Sequence, residues 1–457
     1  MMSPTRRRWA AWVIVVSACG RTELLDVSDS GEDAVAIDSS DATTPSTSDS
    51  GDVDQGVDSG VFDSTSDYDW PETVVPDARR EHVVDAACDS GRWTFGSIAT
   101  YATPPFSGDE NGGPVLGAGD FDGDGTLDLI GVFSSPSAAA VWTNLGDGTF
   151  GLETTLAIVP GAYVLAVGDF NRDGLADFAV GFVADVNTNG ANLDGVEVFT
   201  NQGNAGFAIT SSFPATNGAL DMVVGDFNGD GAPDIAMADN SNQLNIALNR
   251  GDGTFPAVVS YQAGYALGWE MAVGDVNNDG ALDIVSTSAA ANSAMVSVFF
   301  NRGDGTFESP VSYSSIGDDT GSLALGDFNG DGWLDVARTS WQAGNYVAVR
   351  LNRGDGTFGT ESSYPVGDMP YAIVADRFLT SSGWLDIAAA PLLGSHIAGD
   401  TTVVVVPGNG DGTFGQKLGI GSLGANVLLG GDFNGDGHPD IAFASDSVIG
   451  VLPFVCE

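Results

Sequence analysis

One twelve-residue phrase, GDFNGDGWLDVA from Gly326, recurs along this chain with little change, and that repetition constrains the fold more than any other feature. Near-copies start at Gly119, Gly225 and Gly431. The leading Asp of each copy stands at Asp120, Asp169, Asp226, Asp275, Asp327, Asp376 and Asp432, with gaps of 49, 57, 49, 52, 49 and 56 residues. A second motif alternates with the first: NLGDGTF from Asn144, NRGDGTF from Asn249, Asn301 and Asn352, and GNGDGTF from Gly408, with a decayed NQGNAGF at Asn201. Short apolar runs rich in Val, Ala, Ile and Phe flank both motifs, four to a unit, and Gly, Asp and Asn separate them. Such runs bounded by such turns read as strands, and Asp-Gly between two of them reads as a tight hairpin. No amphipathic helical pattern stands out after Cys88. Seven units of about fifty residues therefore predict an all-β fold, a seven-bladed β-propeller of four-stranded blades.

A ring has to close, since an open edge strand templates aggregation. The segment RWTFGSIATYAT from Arg92 resembles the strand that follows GDGTF, yet it precedes the first acidic loop. The seventh unit ends VIGVLPFVCE with no GDGTF strand of its own. The N-terminal strand is thus expected to complete the last blade beside residues 447–455, which would bring Cys88 next to Cys456. A disulfide between them suits an exported protein.

Ahead of the ring, the chain changes character twice. Arg6, Arg7 and Arg8 precede the apolar run WAAWVIVV and then SACG, the layout of an export signal too short to span a bilayer. VSAC resembles a bacterial lipobox, so residues 1–19 read as a lipoprotein signal and Cys19 as the lipidated residue. Plain secretion is the other reading, and the Sec and twin-arginine routes both stay open. Residues 20–88 are dominated by Asp, Ser, Thr and Gly without periodicity, and read as a disordered tether. The propeller occupies residues 89–457. The expected location is the outer membrane or cell surface, with the membrane reached through the lipid on Cys19. A monomer is expected.

The chain has 62 Asp and Glu against 15 Lys and Arg, a net charge of −47. That balance excludes nucleic acid as a partner, because phosphates need neutralising cations. It also raises the question of what neutralises the repeated loops. In DFDGDGTLD from Asp120, carboxylates stand at positions 1, 3, 5 and 9, with Gly at position 6 for a sharp turn. Alternate oxygens in that pattern suit a hard cation, and Ca²⁺ better than Mg²⁺. The EF-hand shares the opening but closes with Glu at position 12.

The expected ligands are Asp120, Asp122, Asp124 and Asp128 in the first loop, and Asp169, Asn171, Asp173 and Asp177 in the second. The third offers Asp226, Asn228, Asp230 and Asp234, and the fourth Asp275, Asn277, Asp279 and Asp283. The fifth offers Asp327, Asn329, Asp331 and Asp335, and the seventh Asp432, Asn434, Asp436 and Asp440. The sixth, DRFLTSSGWLD, keeps Asp376 and Asp386 but loses the middle ligands, so about six Ca²⁺ are expected and none at Asp376.

From about Cys88 to Glu457 the chain resembles the FG-GAP repeats of integrin α-subunit propellers and the related bacterial VCBS repeat proteins, on the strength of GDFNGDGxxDI and NRGDGTF. The resemblance implies a seven-bladed propeller with Ca²⁺ held between the first two strands of a blade, and a role in adhesion or ligand binding at a surface.

Three RGD tripeptides, at Arg250, Arg302 and Arg353, belong to the hairpin motif, whose Arg position is elsewhere Leu145, Gln202 or Asn409. Turn chemistry explains them. The only histidines are His82, His396 and His438, and no nucleophile elbow, HExxH or phosphate loop is present, so the sequence reads as a non-enzyme. The expected function is a binding or adhesion module that recognises a protein or carbohydrate ligand through the variable loops opposite the metal loops. Trp341, Tyr371 and His396 are its candidate contact residues, whereas Tyr163 and Trp269 read as inter-blade packing. A structural surface propeller without a dedicated ligand is the alternative, and a hydrolase or lyase the more remote one.

Overall fold

The computed structural model describes residues 93–456 apart from 104–113, 135–136, 184–193, 204–205, 216–217, 264–266, 268–269, 289–294, 318–320, 341–344, 368, 380–382, 392–401, 423–424 and 446–447. The signal, the tether, Cys19, Cys88, Trp269, Trp341 and His396 lie outside the described residues. The expected disulfide therefore does as well.

Seven four-stranded antiparallel sheets form the blades of a β-propeller. Blade 1 runs Val115–Gly119, Asp128–Ser134, Ser137–Asn144 and Phe150–Ala157. Blade 4 runs Met271–Gly274, Asp283–Thr287, Met295–Phe299 and Val311–Ser314, and blade 5 Leu323–Gly326, Asp335–Ser340, Tyr346–Asn352 and Phe358–Pro365. Blades 2, 3 and 6 follow the same up-and-down order. First strands of successive blades touch each other all the way round, and blade 7 touches blade 1, so these strands are innermost. No helix occurs among the described residues.

Closure is as the sequence implies. Ala99–Ala102 pairs antiparallel with Val448–Leu452, and Trp93–Phe95 pairs with Phe454–Cys456. Blade 7 is thus made of both chain ends.

Burial follows strand position. Second strands such as Asp177–Phe182 and Asp234–Asp239 are buried along their whole length, being covered on both faces by neighbouring blades. This is why they read as unbroken runs such as DFAVGF rather than as alternating patterns. The fourth strand is the outer edge and carries the polar alternation, as in FAITSSFP at Phe207–Pro214.

Aromatic rings lock the seams. In five of the seven loops the second residue is a Phe whose buried ring packs against the Phe that closes the next blade's hairpin motif. The centroids are 5.7 Å apart for Phe170–Phe255, 5.7 Å for Phe227–Phe307 and 5.6 Å for Phe328–Phe414. Phe433 of blade 7 meets Phe150 of blade 1 at 6.3 Å, which continues the series across the closure. Each such ring contributes about 1.5–3 kcal/mol by burial alone. Blade 4 replaces the Phe by Val276, which packs in one cluster with Phe358.

Two acids stitch the inner strands where blades 1, 2 and 7 have Val. Asp221 Oδ2 accepts the Met271 amide of blade 4 at 2.6 Å, and Glu270 Oε2 accepts the Leu323 amide of blade 5 at 2.9 Å. Both side chains are about 1% exposed. Burial holds the Glu270 carboxyl well above its ordinary range, and the Asp221 charge adds to the effect. The stability Glu270 contributes is complete below its ordinary pKa and is lost as pH rises toward the folded value. Glu270→Gln keeps an oxygen for the Leu323 amide and removes that ionisation cost. We expect its Tm to exceed the parent's at pH 8 and to match it near pH 4. A lower Tm at pH 8 would contradict this account.

Candidate metal centre

The loop joining the first and second strands of a blade folds around its own carboxylates. Asp120 Oδ1 accepts the Gly123 amide at 2.7 Å and Oδ2 the Gly125 amide at 2.9 Å. Asp122 Oδ1 accepts the Asp124 amide at 3.1 Å, and Asp124 Oδ1 the Thr126 amide at 2.8 Å. Oxygens of Asp120, Asp122 and Asp124 lie within 4.8 Å of one another. The same ladder recurs at Asp226 with Gly229 and Gly231, at Asp327 with Gly330 and Gly332, and at Asp432 with Gly435 and Gly437. Where position 3 is Asn, its Oδ1 takes the amide of the Asp at position 5, as in Asn171, Asn228, Asn277, Asn329 and Asn434. Position 4 needs a left-handed backbone: Gly123 has φ 79°, and Asn278 and Arg172 adopt 54° and 60° there.

The electrostatics of these loops are self-opposing. Burial raises the Asp122 carboxyl, and the neighbouring Asp124 and Asp120 charges raise it further. Asp169 and Asp275 are raised chiefly by burial, with Asp173 and Asp279 adding to it. Positions 1, 3 and 5 thus gather hard oxygen donors with no described cation among them except at loop 3, where Arg172 of loop 2 reaches Asp230 at 3.3 Å.

Position 9 has a task that the spacing did not reveal. Asp128 is fully buried; its Oδ2 accepts the Phe121 amide and its Oδ1 the Asn144 amide, both at 2.7 Å. That carboxylate ties the start of the loop to the end of the third strand. Asp177, Asp234, Asp283, Asp335 and Asp440 make the same pair of bonds. Burial pushes these carboxyls up to about 7, or about 8 for Asp177, and the charges at positions 1, 3 and 5 push the same way.

The sixth loop separates the two tasks. It lacks the middle ligands, yet Asp386 still accepts the Leu379 amide at 2.7 Å and the Gly408 amide at 2.9 Å. Asp376 is buried, accepts the Arg377 amide at 2.7 Å and feels the Arg377 guanidinium, which offsets part of the rise that burial imposes.

Sequence reasoning passed over the leading Asn of NRGDGTF. Asn301 Nδ2 donates to the Leu282 carbonyl of its own loop at 3.0 Å and to the Phe227 carbonyl of the preceding blade at 2.8 Å. Asn201, Asn249 and Asn352 reach back in the same way to Phe121, Phe170 and Val276. Asn144 reaches Phe433, so one of these staples crosses the closure. The signal was available: Asn recurs at the head of the motif while the next residue varies. The RGD turns behave as turn chemistry predicts, with Asp252, Asp304 and Asp355 each capping the amide of a Thr two residues on.

On the opposite face, the candidate contacts fare differently. Tyr371, one of the candidate contact residues, is only 9% exposed. The innermost strands pack together there, and the Tyr371 carbonyl is bonded by the Ser322 amide and Thr339 Oγ1. Tyr163 packs against the cores on both sides of blade 2, as inter-blade packing requires.

The FG-GAP-like repeat family matches residues 120–180, 182–237, 226–286 and 287–338. The fold is that of a seven-bladed propeller, four stretches of which match FG-GAP-like repeats. No curated protein matches the chain. Among solved structures, an Agrocybe aegerita lectin described as recognising non-reducing terminal N-acetylglucosamine is 18% identical, with 74% of this chain and 85% of that one covered and a TM-score of 0.48. The exotype rhamnogalacturonan lyase YesX is 15% identical, with 79% and 75% covered and a TM-score of 0.44. Likenesses this distant transfer neither ligand nor activity. The sequence reading of a non-enzyme is withdrawn, because missing histidine and nucleophile motifs do not exclude catalysis on a propeller, a scaffold that hosts many functions.

The staples make a direct prediction. Asn301→Ala strips the buried Phe227 carbonyl and the half-buried Leu282 carbonyl of a donor and should cost about 1–3 kcal/mol in chemical denaturation. Arg302→Ala, at the exposed neighbour, should change stability by less than about 0.5 kcal/mol. Equal costs would contradict the inter-blade assignment.

Proposed function

We propose that this chain is a calcium-stabilised surface module, tethered to a membrane through Cys19, that binds a protein or carbohydrate ligand on the face opposite its acidic loops. The observation that carries the calcium reading is the gathering of side-chain oxygens at positions 1, 3 and 5, seen most fully in Asp120, Asp122 and Asp124. Oxygen-only donors with two or three formal charges and a glycine-permitted turn fit Ca²⁺. Asp120, Asp122 and Asp124, and their counterparts in loops 2, 3, 4, 5 and 7, would hold the ion. Each carboxylate oxygen at position 9 keeps a second lone pair beyond its amide bond, so Asp128 and its counterparts add charge close by. A bound ion would supply the positive charge that these loops lack.

Two further features support the binding reading. The loops between first and second strands and the GDGTF turns share one end of every sheet, which leaves the second-to-third and blade-to-blade connections at the other end. Those connections vary in length and composition, and recognition residues concentrate on loops held by rigid scaffolds. The lipobox-like VSAC and the acidic segment after it support the tether.

Thermal unfolding in millimolar Ca²⁺ and then in excess EGTA, with a metal count on the same sample, tests the calcium reading. We expect a large drop in Tm with EGTA and about six ions per chain. Asp331→Ala should remove one ion, whereas Asp376→Ala should remove none. No bound metal and no shift would sink the reading.

A further inference from the structure

The seam between blades 4 and 5 differs from every other seam. Two residues before the leading position of the hairpin motif (Asn144, Asn201, Asn249, Asn301, Gly408 and, in blade 7, Phe454), the other blades carry Trp142, Phe199, Ala247, Phe299, Val406 and Leu452, all buried and apolar. Blade 5 carries Arg350 at that place. Three residues after the position-9 Asp, the others carry Gly131, Val180, Met237, Ser286, Ala389 or Phe443, and blade 5 carries Arg338. The two arginines are 6% and 1% exposed. They share one carboxylate: Arg338 grips Glu361 through Nε and Nη2, both at 2.9 Å, while Arg350 Nη2 stands 3.4 Å from Glu361 Oε1. Glu361 also accepts the Ile316 amide at 2.7 Å.

Two guanidiniums against one carboxylate leave one positive charge in the interior among the described residues. Burying an uncompensated charge is costly. Backbone carbonyls absorb part of it, since Arg350 donates to Gly359 O and to Ser314 O, and Arg338 to Ile316 O. Arg350 also lies 5.6 Å from the Tyr313 ring centroid. Four buried polar atoms nevertheless have no hydrogen-bond partner here: Arg350 Nε, Tyr313 Oη, Ser315 Oγ and Ser340 Oγ. Native interiors seldom leave such atoms bare. All four can donate a hydrogen bond, and Arg350 Nε belongs to the charged group itself.

We propose that the seam between blades 4 and 5 binds a small monovalent anion of halide size beside Arg350 Nε and Tyr313 Oη. A neutral water would satisfy the donors but not the charge; a halide satisfies both. The site lies between second, third and outer strands of the ring and is independent of the acidic loops.

The test uses the full chain with calcium saturating. At constant ionic strength, exchanging gluconate for chloride should raise Tm, by about 2 °C for each tenfold rise above the dissociation constant. Crystals grown in sodium bromide should show an anomalous peak within hydrogen-bonding distance of Arg350 Nε. Arg350→Leu installs the apolar residue type of the other blades and leaves Arg338 and Glu361 as a balanced pair, so it should fold, and it should lose both the chloride response and the bromide peak. Absence of the peak in the parent protein overturns the proposal, as does a chloride response that survives in Arg350→Leu. Asp318 and Asp319, in the same connection, provide a further check. If the parent ignores chloride and their double Asn variant begins to respond, those carboxylates supply the counter-charge and the proposal falls.

Discussion

A single buried carboxylate, repeated in every blade, is the interaction on which this ring depends. It stands at position 9 of the acidic loop and accepts one amide from the loop and one from the end of the third strand. The first three strands of a blade are thereby fixed at one end by a group that is inaccessible to water. From there the leading Asn of the GDGTF motif reaches the carbonyl beside the preceding blade's buried Phe. Carboxylate, asparagine and aromatic pair link most neighbouring blades, whereas blade 6 has Gly408 in place of the Asn and Arg377 in place of the Phe. Losing one member would leave backbone groups unpaired in a dry interior, a cost comparable to a sizeable part of a domain's net stability.

Such a clamp has a drawback that the loops above it aggravate. Burial already disfavours ionisation of these carboxyls, and three further oxygens lie just outside. Bound calcium would reverse the sign of the local field. The sixth loop shows the alternative, in which the middle carboxylates are gone and Arg377 provides positive charge beside Asp376. Clamp and acidic loop are therefore separable parts: Asp386 keeps its two amides where the middle carboxylates are gone.

Much of this was legible in the sequence because a repeat averages out local ambiguity. Seven copies of one phrase gave the blade count, the four-strand unit and the closing strand from Arg92, and Ala99–Ala102 pairs where that reasoning placed it. Spacing also gathered positions 1, 3 and 5. What it missed depends on direction rather than period. Nothing in DFDGDGTLD says that Asp128 turns under the loop to meet Asn144, sixteen residues on. Asn301 reaches back 74 residues into another blade, a contact that no local pattern encodes. Tyr371 reads as a candidate contact residue in the sequence, and the packing of the innermost strands leaves it 9% exposed. The buried charges at Arg338, Arg350, Asp221 and Glu270 break the apolar pattern of their strands, and only alignment of the blades makes them visible.

The most direct measurement is amide hydrogen exchange on the full chain, with Ca²⁺ and then with EGTA, followed at individual loops. The account predicts that the amides of Gly123 and Gly125, held only by Asp120, lose protection when metal is withdrawn. The amides of Phe121 and Asn144, held by Asp128, should stay protected. Loss of both sets together would mean that clamp and metal loop are one unit, and would contradict the division of labour on which this reading rests.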